Sequence, residues 1–510
     1  MKASGMPKDR NVLFIVIDQL RADCLFGALA GHVNLPHLRA LMDEAVTFRR
    51  HYSVANPCGP SRASILTGQY AMNHRSVRNG TPLCHDTPNL ATEVRKAGHL
   101  PLLFGYTDTS QDPRAYAQGD PALQSYEQVM TGFHEMVEMR LEESLPWRSH
   151  LLAKGYDVPP YPEIFRPNGT RPDDPALYRA EDSDTAFLTD AAIAGLRGRK
   201  PGWFAHLTYI RPHPPLVAPA PYNRMYDPET LPLPTRLPGV EAELQLHPFV
   251  GPSHVKQPLH SMVEGFADLA ATDENTQMLR AIYLGLATEV DHHIGRLLNW
   301  LKESGQYENT LIVVTADHGE MLGDHHAWGK STFYDAAYHT PLILRDPQNR
   351  QTAGDFVDAP TESVDVSPTI LHWLELEAPQ TMDGRSLMPF VLGEAVETWR
   401  EFTFSELDFG NPIHPSLAER HLGLTSDTAN LAILRGTDHT LVHFNGGLPP
   451  LLFDHSAAGE MRDVSKDPNM QGILLNMCRA MLDHRMTHAE GRFSRTLITD
   501  SGPVTVPCDR

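Results

Sequence analysis

Four short apolar runs, each ending abruptly in polar residues, limit the folds open to this chain. The first, Asn11 to Ile17, is continuous, rich in β-branched residues and followed by Asp18-Gln19. The second, His99 to Phe104, ends in Gly105-Tyr106-Thr107. The third, Trp203 to Ile210, ends in Arg211-Pro212-His213-Pro214-Pro215, and the fourth, Thr310 to Thr315, in Ala316-Asp317-His318-Gly319-Glu320. Apolar runs without alternation suit strands covered on both faces, as in a parallel sheet between helices. In open α/β sheets ligands gather at the carboxyl ends of the strands. The expected class is therefore α/β, with a large, mostly parallel sheet and chemistry at its strand tips.

Beyond Leu387 the pattern changes. Phe402 to Ser405, Leu431 to Leu434, Thr440 to Phe444 and Leu451 to Phe453 are short strand-like runs, and a helix follows from about Met470 to Met486. These suit a small antiparallel sheet. The expected division is a catalytic α/β unit over 1–388 and an α+β subdomain over 389–510, whose tail after His488 reaches toward a neighbouring subunit. Between the apolar runs, Asn34 and Pro36 mark a helix start. A helix with Leu279, Ile282, Leu286, Val290, Ile294, Leu297 and Leu301 on one face belongs to the core. Its Glu289, Asp291, His292 and His293 are expected on the outer face. Residues 112–200 and 217–268 read as irregular excursions over the active-site face.

The 510 residues suffice for a large core. The apolar run near the N-terminus is too short for a signal-peptide core or a membrane span, so a cytoplasmic protein with no membrane partner is expected. Five scattered cysteines, Cys24, Cys58, Cys84, Cys478 and Cys508, form no disulfide framework and no zinc spacing. A net charge of -20 argues against nucleic-acid binding. It also repels an anionic substrate at long range, so a local cluster of cations has to overcome it.

Asp18 and Gln19 place hard oxygens at one strand tip, and Asp317 and His318 repeat the arrangement at another. Oxygen-rich ligation with one imidazole suits Ca, Mn or Mg better than a thiolate-bound soft metal. Cys58 lies in Asn56-Pro57-Cys58-Gly59-Pro60-Ser61-Arg62-Ala63-Ser64, where Pro60 suits the first turn of a helix and Gly68 its end. The residues by themselves allow two readings. Cys58 is a nucleophile whose pKa is lowered by the helix N-terminus and Arg62, or it is a buried structural cysteine. Prolines on both sides hold His213 rigid as a general-acid candidate. Asn79 is a turn residue or an oxyanion donor, and Tyr106 and Thr107 are placed to line the pocket.

The Cys-x-Pro-Ser-Arg pattern at Cys58, followed by an apolar stretch and Leu66-Thr67-Gly68, resembles the signature of the formylglycine-dependent sulfatases of the alkaline-phosphatase-like superfamily. The resemblance runs from Asn11 to about Leu387. Asp18-Gln19, Asn73-His74-Arg75 and Arg211-Pro212-His213-Pro214-Pro215 are most similar to the bacterial phosphonate monoester hydrolase/arylsulfatase branch. Many sulfatases carry a second Asp where this chain has Gln19. The resemblance implies a mixed, mostly parallel sheet sandwiched by helices. It implies one divalent metal ion held by Asp18, Gln19, Cys58, Asp317 and His318. It implies that Cys58 becomes formylglycine (3-oxoalanine) through a formylglycine-generating enzyme.

In this reading Arg62 orients residue 58. Asn79, His213 and Lys330 contact the substrate, and His213 or Lys330 protonates the leaving group. The expected activity is hydrolysis of sulfate monoesters with relaxed action on phosphonate monoesters and phosphodiesters. The alternatives are a primary phosphonate monoester hydrolase, a phosphotransferase using unmodified Cys58, and a non-catalytic metal-binding protein. A small anionic ester is the expected substrate and a homodimer or homotetramer the expected assembly.

Overall fold

The computed structural model describes residues 10–140, 144–491 and 494–506. The polar stretch up to residue 9 and Cys508 lie outside the described residues. In chain order the strands of the first part are β1 (Asn11–Ile17), β2 (Val46–Tyr52), β3 (Ala55–Asn56), β4 (Pro101–Gly105), β5 (His134–Glu138), β6 (Phe204–Tyr209), β7 (Thr310–Ala316), β8 (His339–Arg345), β9 (Phe356–Val357) and β10 (Thr361–Glu362). Those of the second part are β11 (Thr403–Asp408), β12 (Asn430–Arg435), β13 (His439–Phe444), β14 (Leu451–Asp454), β15 (Gly459–Asp463), β16 (Thr496–Thr499) and β17 (Gly502–Thr505).

The large sheet has the order β10-β2-β8-β7-β1-β6-β4-β5, with β9 beside β2. Strands β7, β1, β6, β4 and β5 are parallel, while β8 runs antiparallel to both β7 and β2. This is the expected mixed, mostly parallel sheet. In its centre Ile17 lies level with Tyr209 on one side and Ala316 on the other. The next residues, Asp18, Ile210 and Asp317, therefore leave the sheet together at one edge.

Alternation along β1 covers both faces. Leu13, Ile15 and Ile17 pack on one side against Leu279, Ile282, Leu286 and Val290 of the helix Asp273–Glu303. Val12, Phe14 and Val16 pack on the other side against Ile65, Val94 and Ile370, from the helices Cys58–Thr67, Leu90–Lys96 and Val366–Trp373. A strand apolar on both faces is what such a double layer needs.

Three sequence expectations change. The helix near Asn34 spans Pro36–Met42, and Asn34 does not cap it. Instead Asp291 accepts from the backbone N–H groups of His37 (3.1 Å) and Leu38 (2.7 Å). That task explains why Asp291, expected on an outer face, is buried, and Glu289 on the same helix is buried too. The stretch 112–200 is not all irregular: it contains edge strand β5 and the helix Asp184–Leu196, whose Leu188, Ala192 and Leu196 join the core. Its polar flanks hid that short apolar stripe.

The small sheet runs β15-β14-β13-β12-β11-β3. It is antiparallel except at its edge, where β3 pairs parallel with β11. Ala55–Asn56 is thus borrowed from the N-terminal part of the chain, immediately before the Cys58 helix. Met477 and Met481 of the helix Gln471–Thr487 cover the sheet with Phe404, Leu434, Leu441 and Leu452. Strands β16 and β17 form a separate hairpin. Among the described residues no helix is long and apolar enough to cross a membrane.

Candidate functional site

The edge formed by the tips of β1, β7, β4 and β6 collects most of the residues singled out in the sequence. Asp18 follows β1, and Asp317 and His318 follow β7. Cys58 opens the helix Cys58–Thr67, which ends at Gly68 in the left-handed region, φ 64°. Glycine enters that region without the Cβ penalty other residues meet, so the chain turns back sharply there. Two polar links hold the Cys58 loop over the β7 tip. Ser61 Oγ donates to the Asp317 carbonyl at 2.5 Å. Asn56 Nδ2 donates to the carbonyls of Lys330 and Ala337, each at 3.1 Å.

One ligand atom each from Asp18, Cys58, Asp317 and His318 lies within 4.8 Å of all the others, and all four residues are buried. Cys58 Sγ is 3.2 Å from His318 Nε2. His318 Nδ1 donates to the Gly319 carbonyl at 3.0 Å, so Nε2 presents its lone pair to the cluster. Such a backbone partner is how metal-binding histidines are commonly oriented. Asp18 Oδ1 is buried and accepts no hydrogen bond. An orphaned carboxylate oxygen amid three more donors fits a hard divalent cation, since buried acceptors otherwise find partners.

Arg62 binds this cluster from behind. Its Nε donates to Asp317 Oδ2 and its Nη2 to Asp18 Oδ2, both at 3.0 Å, while its guanidinium lies 4.1 Å above the Tyr106 ring. It is thus committed to the carboxylates and is not the group that lowers the pKa of Cys58. Burial, followed by the charge of Asp18, pushes the Cys58 thiol well above its ordinary range; Lys330 pulls the other way, and Asp317 and Asp108 add to the rise. Of the two readings that the residues left open, burial and the three carboxylates oppose the low-pKa thiolate. Asp18 is raised by burial and by Asp317. Burial also opposes ionisation of Asp317, but His318, Arg62 and Lys330 outweigh it and hold Asp317 below the carboxylate range. His318 is lowered to about 4, first by burial.

On the open side, Lys330 Nζ donates to His213 Nε2 at 2.9 Å and to Gln19 Oε1 at 2.7 Å. His213 Nδ1 donates to the Pro214 carbonyl at 2.5 Å. A carbonyl only accepts and an ammonium only donates, which fixes His213 as the neutral tautomer protonated on Nδ1. Burial, then the charge of Lys330, lowers its pKa well below the ordinary value. Burial favours the neutral form of Lys330, but Cys58, Asp18, Asp317 and Glu320 raise its pKa, so the proton of this pair resides on Lys330 Nζ. The oxygen of Gln19 thus engages Lys330, while its Nε2 donates to Glu320.

Asn79 Oδ1 accepts from the Gly59 N–H at 3.0 Å, leaving Nδ2 as a donor beside residue 58. Tyr106 and Thr107 do not line a substrate space. The Tyr106 hydroxyl donates to Asp18 and accepts from Arg62 Nη2 at 3.0 Å. Thr107 Oγ1 accepts from Met130 N–H at 2.8 Å and donates to the Gln128 carbonyl at 3.1 Å, so it anchors the neighbouring segment. A strand tip was legible in the sequence; the direction of each side chain at that tip was not. His325, stacked on Tyr334, and His326, bonded to the Leu237 carbonyl, also face away from the cluster.

Three residues near the cluster were missed. Glu320 fixes Gln19 and accepts from Gly329 N–H at 2.6 Å. Asp108, buried with φ 48°, has Oδ2 3.7 Å from Arg62 Nε. Asn56 ties two loops together, as above. Each stood in a quoted motif or beside a quoted residue, but only as spacing.

Residues 10–376 match the sulfatase family, and residues 323–487 match the C-terminal family of N-sulphoglucosamine sulphohydrolase. The fold superposes on a phosphonate monoester hydrolase from Silicibacter pomeroyi with a TM-score of 0.95, at 61% identity over 98% of this chain and 99% of that one. It is similar to the phosphonate monoester hydrolase of Agrobacterium radiobacter, TM-score 0.93, at 38% identity over 98% of this chain and all (100%) of the other. The multifunctional alkaline phosphatase superfamily protein PehA of Trinickia caryophylli is 37% identical, covering 97% of this chain and 99% of its own length.

Proposed function

We propose that this chain, which belongs to the sulfatase family, hydrolyses phosphonate monoesters and sulfate monoesters at the Cys58 edge of its large sheet. The observation that carries this reading is the convergence of Asp18, Cys58, Asp317 and His318 within 4.8 Å, with the Lys330–His213 pair beside them. The 61% identity to a phosphonate monoester hydrolase favours phosphonate as the preferred ester. Sulfate monoesters form the second reading, supported by the family match. Both esters are tetrahedral and carry one negative charge on the reacting group, so one arrangement of cations serves both.

Asp18, Asp317, His318 and residue 58 would hold one divalent cation, with Gln19 adjacent. Bound there, the ion supplies positive charge to the oxygens of the reacting group and eases deprotonation of a hydroxyl. Oxidised to formylglycine by a formylglycine-generating enzyme, residue 58 would offer a hydrated aldehyde, with one hydroxyl for attack and a second to expel the product. The chain's own groups do the rest. Arg62 and Tyr106 hold the carboxylates of Asp18 and Asp317 in line. Asn79 Nδ2 and Lys330 Nζ donate to non-bridging oxygens, where charge builds during transfer. Lys330 Nζ carries the proton for the leaving oxygen, and neutral His213 orients that ammonium through Nε2.

The deciding experiment is mass spectrometry of the tryptic peptide from His51 to Arg62, on protein co-expressed with a formylglycine-generating enzyme. Loss of sulfur with gain of oxygen at residue 58, together with turnover of an aryl phosphonate monoester faster than the matching aryl sulfate, is the expected result. An intact thiol in an active, metal-loaded protein would overturn the formylglycine reading.

A further inference from the structure

Behind His213 lies a buried ion pair between Arg211, the first residue of the Arg211–Pro215 motif, and Asp184, which stands in none of the motifs. Arg211 is fully buried and Asp184 is 3% exposed. Arg211 Nε donates to Asp184 Oδ2 at 2.9 Å. The same guanidinium donates from Nη1 to the carbonyls of His213 at 3.0 Å and Pro215 at 2.8 Å. Its plane lies 4.7 Å over the ring of Phe165. Asp184 is itself fixed, because it begins the helix Asp184–Leu196 and its Oδ1 accepts from the Thr185 N–H at 2.9 Å.

We infer that Asp184 is a positioning residue for His213, acting through Arg211. The contacts form one unbroken path: Asp184 orients the guanidinium, and the guanidinium clamps the backbone carbonyls of His213 and Pro215. His213 Nε2 then meets Lys330 Nζ. Only a planar fork with several donors can grip a carboxylate and two carbonyls at once. Removing the carboxylate takes away the charged acceptor that holds Arg211 Nε, and the clamp is then free to rotate. His213 touches Lys330 through one hydrogen bond, so a small displacement of its backbone separates the pair. This inference rests on the reading that the Lys330–His213 pair serves the leaving group.

The test is a double-mutant cycle on the metal-loaded, mature enzyme, with kcat and KM measured separately. Asp184→Asn keeps the shape and removes the charge. It is expected to lower kcat by about 10²-fold, the size of a roughly 1 Å misplacement, and to leave KM within about twofold. In a His213→Ala background the same change should cost less than about threefold, since nothing remains to be positioned. Arg211→Lys, which keeps the charge but loses the fork, should show the same pattern and guards against a folding defect in one variant. Equal losses in both backgrounds would overturn the proposal. If the parent protein hydrolyses neither ester, the functional reading has failed, and imidazole NMR decides the positioning claim. The His213 ring signals, identified by their absence in His213→Ala, should shift in Asp184→Asn; unchanged signals would refute it.

Discussion

Lys330 Nζ donates to His213 Nε2 at 2.9 Å, joining the loop after β7 to the loop after β6 across the open side of the site. Donor and acceptor roles in this pair are fixed by the partners of each group, and they place the shared proton on the lysine. The imidazole is an acceptor that aims it. The sequence had left the acid open between His213 and Lys330.

Lys330→Ala is therefore expected to lower kcat by about 10²–10⁴-fold, the usual range for a positioned general acid. The loss should be steeper for esters of weakly acidic alcohols than for nitrophenyl esters, whose leaving group needs no proton. Rates across a series of leaving groups check this. A loss independent of leaving-group acidity would remove the proton-donor role.

Tyr106 and Thr107 are neighbours with opposite expectations. Tyr106→Phe deletes the hydroxyl that donates to Asp18, and loss of such an outer partner typically weakens metal binding by about 10–100-fold. Thr107→Val alters only bonds to the Gln128–Met130 backbone and to the Thr109 hydroxyl and should leave metal affinity unchanged. Calorimetric titration of metal-stripped protein with Mn or Ca separates the two. Stripping the metal from the parent protein should abolish turnover, and adding it back should restore it.

Burial, and then the neighbouring Asp184, push the buried carboxyl of Glu289 up to about 8. An acid raised in the folded state binds more protons there than in the unfolded chain. Its contribution to stability is largest below the ordinary carboxylate range and is lost as pH rises through about 8. Glu289→Gln removes that dependence. The melting temperature of the variant relative to the parent should climb between pH 6 and pH 8.5. A difference flat across that range would show that Glu289 does not change charge there.

Asp291 caps the helix Pro36–Met42 through two backbone N–H groups, and Asn34 does not. Asp291→Ala should destabilise the protein by about 1–2 kcal/mol, as loss of a capping side chain does. Asn34→Ala should change stability by less than about 0.5 kcal/mol, as a surface substitution does. Denaturant midpoints of the two variants provide the comparison.

The sequence by itself determined the large sheet, the four strand tips and the residues Asp18, Asp317 and His318 that those tips carry into one cluster. Those features follow from local composition. An apolar run of β1 type has to be buried on both faces, and Asp18, Asp317 and His318 stand immediately after such runs. Cys58 was marked by the residues around it, and the small C-terminal sheet by its short alternating runs. Only the tertiary structure decided which way each side chain turns at those tips. Tyr106 goes to Asp18 and Thr107 away from it, though both follow the same strand. Arg62 reaches past Cys58 to two carboxylates, Gln19 turns its oxygen to Lys330, and Asp291 serves a helix some 250 residues away (253 to Leu38). The physical reason is that burial and charge pairing depend on distances between remote segments. Hydrophobic periodicity is written along the chain, whereas the partner of a buried carboxylate is set only when the segments meet.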